Sequence, residues 1–413
     1  MPNIGRILLT SVILLLIVGL IEWGAYRNVQ RVWGGSSRWN WIKWSWRSVT
    51  LIQVVWTIIY FVRWPFWREF KPEWLLLTHA VLISLLIPKL FLSSIEAIEG
   101  MRFGFQWLFT SSEHKANVPR RTFISIAGQA SAGLLLGAFA HGMTFGRRGY
   151  HVRRYDVPMS NLPEALDGVR IVQISDAHLG SFLNQFDTVE PGLKMVRELN
   201  PDLLCFTGDL VNDHSDEAEP WISRFRELEG RFGKFSILGN HDYADYARRT
   251  DEERETIRSR TKAIHGEMGF DLLLNEHRVV EINGEQLLLL GVENWGRGFR
   301  QSGDLDAARN GTLSELPTVL LSHDPTHWEE KVMGDKAPVE LTLSGHTHGM
   351  QMGLEIPSLG IKLSPSRLRY KRWGGLYTEG GQHLHVNRGF GVLGFPGRIG
   401  MPPEITELTL RKA

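Results

Sequence analysis

Five short polar clusters in this 413-residue chain collect the residue types that hold metal ions. They are Asp176-Ala177-His178, Gly208-Asp209, Gly239-Asn240-His241-Asp242, Ser322-His323 and Gly345-His346-Thr347-His348. Carboxylate, imidazole and one amide oxygen, without thiolate, suit borderline divalent ions such as Mn, Fe, Zn or Co. Two such ions together do hydrolytic chemistry at phosphorus: a water held between them loses a proton near neutral pH and attacks in line with the leaving oxygen. Asp209, in mid-series, is the natural bridging carboxylate. Taken singly, each cluster is an ordinary loop, because an Asp after a strand is commonly a turn former or helix cap. Five in one ordered series, each behind an apolar run, carry the reading together.

Those apolar runs are the elements that must position the clusters. Strands are expected at Val169–Ile174, Asp202–Thr207, Phe235–Leu238, Gln286–Val292, Thr318–Leu321 and Val339–Leu343, with later ones at His383–Val386 and Ile405–Leu410. Helical patterns lie between them at Val189–Leu199 and Glu217–Leu228, and the charged stretch from Asp251 to Glu267 reads as a surface helix. Each cluster follows one of these strands, where open α/β sheets gather functional groups. Residues i and i+2 of an extended backbone point the same way. Asp176 with His178 is therefore expected to face one ion, as is His346 with His348 if that segment stays extended.

The first 150 residues are of a different kind. They hold 16 Lys and Arg against 6 Asp and Glu, and the remainder holds 30 against 39, so a net charge of +1 conceals opposite halves. An acidic second half argues against nucleic acid as a partner. Eleven of the 15 tryptophans lie within the first 107 residues, many at the edges of apolar runs, as membrane-interface aromatics do. Four spans are expected: Ile7 to Ile21, Val49 to Val62, Trp74 to Ile95 (interrupted by Pro88 and Lys89) and Thr122 to Phe145. The Trp-rich stretch from Arg31 to Arg47 reads as an interfacial belt. Positive charge is nearly balanced across the two sides, with Arg27, Arg102 and Lys115 among the inner set when the N-terminus is outside. Pro119-Arg120-Arg121 ahead of a Gly/Ala-rich run is similar to a twin-arginine export signal and tips the catalytic half to the extracytoplasmic side. Cys205, the single cysteine, reads as a core residue.

The series D-x-H, G-D, G-N-H-D, H, G-H-x-H resembles the signature of the calcineurin-like metallophosphoesterases, and Pro402-Pro403-Glu404-Ile405 looks like the tail of a membrane-associated bacterial branch. That resemblance implies an α/β fold, a four-layer αββα sandwich, over residues 151–413, preceded by an all-α transmembrane region over 1–150. It implies two divalent metal ions, one held by Asp176, His178 and His348, the other by Asn240, His323 and His346, with Asp209 between. His241 then stabilises the transition state or protonates the leaving group, oriented by Asp242. One departure is visible: Met350 stands where the family often has glycine, which bears on backbone shape beside the pocket.

The function so implied is a membrane-anchored phosphohydrolase whose partners are membrane lipid and a phosphoester or pyrophosphate, lipid-linked as in the UDP-diacylglucosamine compounds that related enzymes cleave. A phosphodiesterase for soluble nucleotides, and a silent membrane scaffold that keeps the fold, are the competing readings. Asp213 and His214 beside the bridging position, and the basic group Arg367, Arg369, Lys371 and Arg372, are further residues that could touch substrate or lipid.

Overall fold

The computed structural model describes residues 4–67, 73–109, 118–182, 184–312, 315–335, 337 and 339–413; Lys115 lies outside them. The chain divides into two compact units, Met1–Ala140 and His141–Ala413.

Four long helices make up the first unit: α1 (Ile4–Trp33), α2 (Trp39–Trp67), α3 (Glu73–Phe109) and α4 (Val118–Thr144, which runs into the second unit). Among the described residues three are long and apolar enough to cross a membrane, over Val12–Trp33, Leu77–Phe105 and Arg120–Arg148; the expected span Val49 to Val62 lies in α2, outside those three. Helix α3 continues through Pro88, so the expected interruption is absent. The bundle is inside out relative to a water-soluble protein. Leu16, Leu20 and Leu134 are exposed, whereas Glu22, Asn28, Gln53, Lys89, Glu96 and Glu99 are buried. Lys89 pairs with Glu22 at 2.5 Å and Arg31 with Glu96 at 2.6 Å. Apolar lipid accepts leucine, and charges survive there by facing one another. Arg120 and Arg121 of the twin-arginine pair likewise meet Glu99 and Glu96 of α3, at 2.7 and 3.9 Å.

Two six-stranded sheets form the second unit. The first has the order β1 (His151–Met159), β14 (Glu404–Lys412), β2 (Arg170–Ile174), β3 (Leu203–Phe206), β4 (Lys234–Ser236), β5 (Asp271–Leu272). The second runs β12 (Gly375–Glu379), β13 (Gln382–Val386), β9 (Leu341–Ser344), β8 (Thr318–Leu321), β7 (Glu285–Gly291), β6 (Glu276–Ile282). A separate hairpin pairs β10 (Leu354–Ile356) with β11 (Ile361–Leu363). Strands β2, β3 and β4 are mutually parallel, as are β7, β8 and β9. Parallel neighbours place all their carboxyl ends at one edge, which is what collects the five clusters.

Side-chain alternation builds the layers. Ile171, Leu203, Cys205 and Phe235 pack against Leu287, Leu289, Val319, Leu321, Leu341 and Leu343 between the sheets. The alternate residues Val172, Ile174, Leu204 and Phe206 pack on α5 (Phe186–Leu199) and α7 (Asp251–Glu267). On the far side, Leu288, Leu290 and Leu320 cover α8 (Leu305–Arg309), Trp328 and Val332. The result is helix, sheet, sheet, helix, the four-layer arrangement. Helix α7 occupies the bounds expected from its charges; Thr250 and Glu253 cap it reciprocally at 3.2 and 2.6 Å. The expected helix Glu217–Leu228 is instead two tight turns and a short helix, α6 (Ile222–Arg226), because Pro220 restarts the chain there. Strand β1, half exposed and charged, carries no apolar run and escapes a reading based on one.

Candidate metal centre

Asp176, His178, Asp209, His346 and His348 all have positive φ, between 44 and 71°. The backbone is therefore not extended at these residues; Asp176 and His178 still share one group as expected, whereas His346 and His348 part. The segments bearing these five residues kink at the strand end, and the kink separates His346 from His348. Asp176, His178 and His348 bring ligand atoms within 4.8 Å of one another, and so do Asp209, His323 and His346. Glycine makes the tight approaches possible: a Cβ at Gly208 (φ 90°) would lie 2.4 Å from the Gly239 nitrogen, and one at Gly345 2.2 Å from an Asp176 oxygen.

One oxygen joins the two groups. Asp209 Oδ2 lies 3.5 Å from His178 Nε2 and 3.2 Å from His323 Nε2. His348 Nε2 stands 3.2 Å from Asp176 Oδ1. Neighbouring groups set the ring orientations. His323 Nδ1 donates to the Thr207 carbonyl at 2.7 Å, which turns Nε2 toward Asp209. His346 turns Nδ1 toward His323 and presents Nε2 to the Tyr370 hydroxyl at 2.8 Å and to Asp324 at 3.3 Å. Asn240 donates its amide to the Tyr246 hydroxyl at 2.6 Å, and its Oδ1 is buried with no partner.

These donors fit cations. His178 Nε2, His348 Nε2 and Asn240 Oδ1 are buried lone-pair atoms without a hydrogen-bond partner, an arrangement that costs about 1–3 kcal/mol per atom unless something fills it. Burial works against charge at Asp176 and Asp209, yet the imidazoles of His348 and His323 hold both carboxyls below the usual carboxylate range. Burial keeps His178 and His346 neutral. His323 is raised to about 10 against its own burial, by Asp209. A divalent ion would take that proton's place.

His241 lies outside both groups and next to them. Its ring meets His178 edge-on at 5.0 Å and stacks on Tyr246 at 4.2 Å. Nδ1 sits 2.6 Å from the Asn212 carbonyl, so that carbonyl orients the ring. The role expected of Asp242 is corrected accordingly: its two oxygens accept the backbone N–H groups of Asp209, Leu210, Val211 and Gly239. Asp242 shapes the loops and leaves the ring to Asn212. Burial first, then the charge of Asp209, pushes its carboxyl up to about 7.

Asp213 and His214 also have structural partners. Asp213 holds the Tyr246 N–H and Arg249, and His214 caps a turn. Sequence reasoning missed Tyr246, Asp324, Tyr370 and Arg398. Arg398 is wholly buried, donates to the Gly389 and Gly391 carbonyls and reaches 3.4 Å from His348 Nδ1. Asp324 and Tyr246 had one available signal, their closeness in sequence to His323 and His241; Tyr370 and Arg398 had none.

Residues 169–350 match the family described as calcineurin-like phosphoesterase, and residues 5–147 match one described as probable calcineurin-like phosphoesterase, transmembrane domain. The metallophosphoesterase YkuE of Bacillus subtilis is 32% identical over 299 residues, covering 67% of this chain and 95% of that one. The chain belongs to the calcineurin-like metallophosphoesterases. It is a membrane-associated member and a metal-dependent phosphoester hydrolase. A transmembrane protein with metallophosphoesterase domain from Danio rerio is 31% identical over 62% of this chain, which spans 56% of that protein's length. The UDP-2,3-diacylglucosamine pyrophosphatase of Chlamydia trachomatis is 30% identical over 59% of this chain and 85% of its own length. Against the family's usual glycine, Met350 takes up a φ of 49° all the same and leaves its side chain exposed.

Proposed function

We propose that residues 1–150 anchor, and residues 151–413 form, a two-metal phosphohydrolase that cleaves a lipid-linked phosphoester or pyrophosphate. The observation that carries the two-metal part is the single Asp209 oxygen shared between His178 and His323 at 3.5 and 3.2 Å. Asp176, His178 and His348 would hold one ion, Asn240, His323 and His346 the other, with Asp209 common to both. Bound there, a pair of divalent ions supplies Lewis-acid charge for the phosphoryl oxygens and a water acidic enough to attack near neutral pH.

The chain's own groups do the rest. His241, at the edge of the site, gives a proton to the departing oxygen, and Asn212 and Tyr246 hold its ring for that transfer. Asp242 keeps the loop bearing Asp209 rigid. The lipid-linked part of the reading draws support from the membrane helices and from the similarity to an enzyme that cleaves a diacylglucosamine pyrophosphate. The twin arginines in the first turn of α4 favour an extracytoplasmic catalytic unit, which reporter fusions at residue 150 test directly.

The decisive experiment gives the detergent-solubilised full chain Mn and bis-p-nitrophenyl phosphate, then a diacylglycerol-linked pyrophosphate. Turnover of both is expected. Metal binding with turnover of soluble nucleotides alone would replace the lipid-linked reading, and neither metal nor turnover would sink the enzymatic one.

A further inference from the structure

Hairpin β10–β11 is built inside out. Leu354 pairs with Leu363 and Ile356 with Ile361 across the antiparallel register, so these four side chains share one face. Leu354 and Leu363 are 49% and 50% exposed there, and Leu359, in the connection, is 69% exposed. The opposite face carries the charges and turns them inward: Glu355 bonds Arg388 at 2.7 Å and Arg153 at 2.5 Å, and Lys362 donates to the Gly374 carbonyl. A hairpin meant for water does the reverse.

The chain leaves β11 for a turn where Leu368 is 94% exposed, the most exposed large apolar side chain among the described residues. Arg367, Arg369 and Lys371 beside it are also exposed, and among the described residues no carboxylate pairs with them. The basic group of the sequence thus splits, because Arg372 is buried and bound to Glu329 and Glu379. Apolar tips with cations of one sign around them are the chemistry of an anionic lipid surface.

We propose that the leucine face of this hairpin, together with Leu368, docks into an anionic bilayer, with Arg367, Arg369 and Lys371 at the headgroup phosphates. A second observation favours a bilayer over a protein. Within the second unit, Ile399 bonds Gln351 and Gly353 at the hairpin base (2.8 and 2.9 Å), and its neighbour Arg398 donates to Gly142 in the last turn of α4 at 3.1 Å. That turn ends a helix apolar enough to cross a membrane. The docking face is also tied to the ligand groups, through Ser364 on the Gly349 carbonyl (2.6 Å) and Tyr370 on His346 (2.8 Å). Docking therefore presents the centre to headgroups; only this last link rests on the lipid-ester reading above.

The test reconstitutes the full chain in phosphatidylcholine vesicles with and without phosphatidylglycerol. Leu359→Cys, Leu368→Cys and, as control, Glu285→Cys carry a polarity-sensitive fluorophore; native Cys205 is buried and stays unlabelled. Nitroxide lipids should quench the labels at 359 and 368, more strongly with phosphatidylglycerol, and spare the label at 285. Absence of quenching at both leucine positions, whether water or protein covers them, overturns the proposal. A Leu359→Asp/Leu368→Asp variant should keep its rate on a soluble ester and lose about tenfold or more on a vesicle-embedded one. Equal retention on both esters would overturn the link between docking and substrate. Quenching in a protein that hydrolyses no ester would overturn the hydrolase reading and leave docking standing.

Discussion

Asp242 accepts the backbone N–H of Asp209 at 2.8 Å and, with its other oxygen, that of Leu210 at 2.9 Å. One buried carboxylate thus ties the β3 loop to the β4 loop and aims the oxygen shared by both ligand groups. Asp242→Asn replaces one acceptor oxygen with a donor and leaves buried N–H groups facing it. Stability should fall by about 2–4 kcal/mol and metal affinity by about tenfold to a hundredfold, read from urea unfolding and metal titration. Unchanged metal affinity would show that Asp242 does not position Asp209.

Asp209→Asn removes the shared anionic oxygen itself. Bound metal should drop below two ions per chain, and turnover should fall by at least about a hundredfold. Elemental analysis of the purified variant checks the first, and ester hydrolysis at saturating Mn the second. A variant that keeps two ions tests false the bridging role.

His241→Ala should keep its metal and lose about a hundredfold or more in turnover. The loss should be smaller for p-nitrophenyl esters than for alkyl esters, because a good leaving group needs no proton. Equal losses on both ester classes would argue for electrostatic stabilisation in place of proton transfer.

His265 is buried against Ser236 (2.9 Å) and Phe206, and burial depresses it from 6.5 to about 3. The unfolded chain takes up a proton near pH 6.5, and the native chain does not. Stability is therefore present above pH 6.5 and lost as pH falls toward 3, at about 1.4 kcal/mol per pH unit from this one group. His265→Leu should flatten the unfolding free energy by that slope between about pH 6 and 4, measured in chelator to exclude metal effects. Parallel curves for the two proteins would contradict it.

Lys89 and Glu22 form a buried pair at 2.5 Å in the helical unit. Glu22→Leu alone leaves an unpaired ammonium and should cost about 3–5 kcal/mol, whereas Glu22→Leu/Lys89→Met should recover most of it. Thermal unfolding in detergent distinguishes the two. A double variant as unstable as the single one would point to a further role for these charges.

The strands β2, β3, β7, β8 and β9 were legible because each contains a buried apolar run, β13 and β14 because β-branched and aliphatic residues are interspersed with polar ones there, and α7 because its charges and cap are local. The seven ligand candidates were legible for a related reason: chemistry demands their residue types, and a strand end is the place that exposes them. Strand β1 and hairpin β10–β11 were not, since a charged strand and an outward-facing leucine pair contradict the usual pattern of burial.

Local order along the chain, then, determined the reaction type, the ligand residue types and the membrane character of the first half, all properties of single segments. Spacing alone left open which ligand joins which group; tertiary structure divides Asp176, His178 and His348 from Asp209, His323 and His346, as the family resemblance implies. The i, i+2 pairing of His346 with His348 is undone by left-handed backbone at both residues, at the end of a strand whose neighbour β8 runs parallel to it. It also reassigned Asp242 from the His241 ring to four backbone donors. Such contacts link positions far apart in the chain, where neither spacing nor composition can register them.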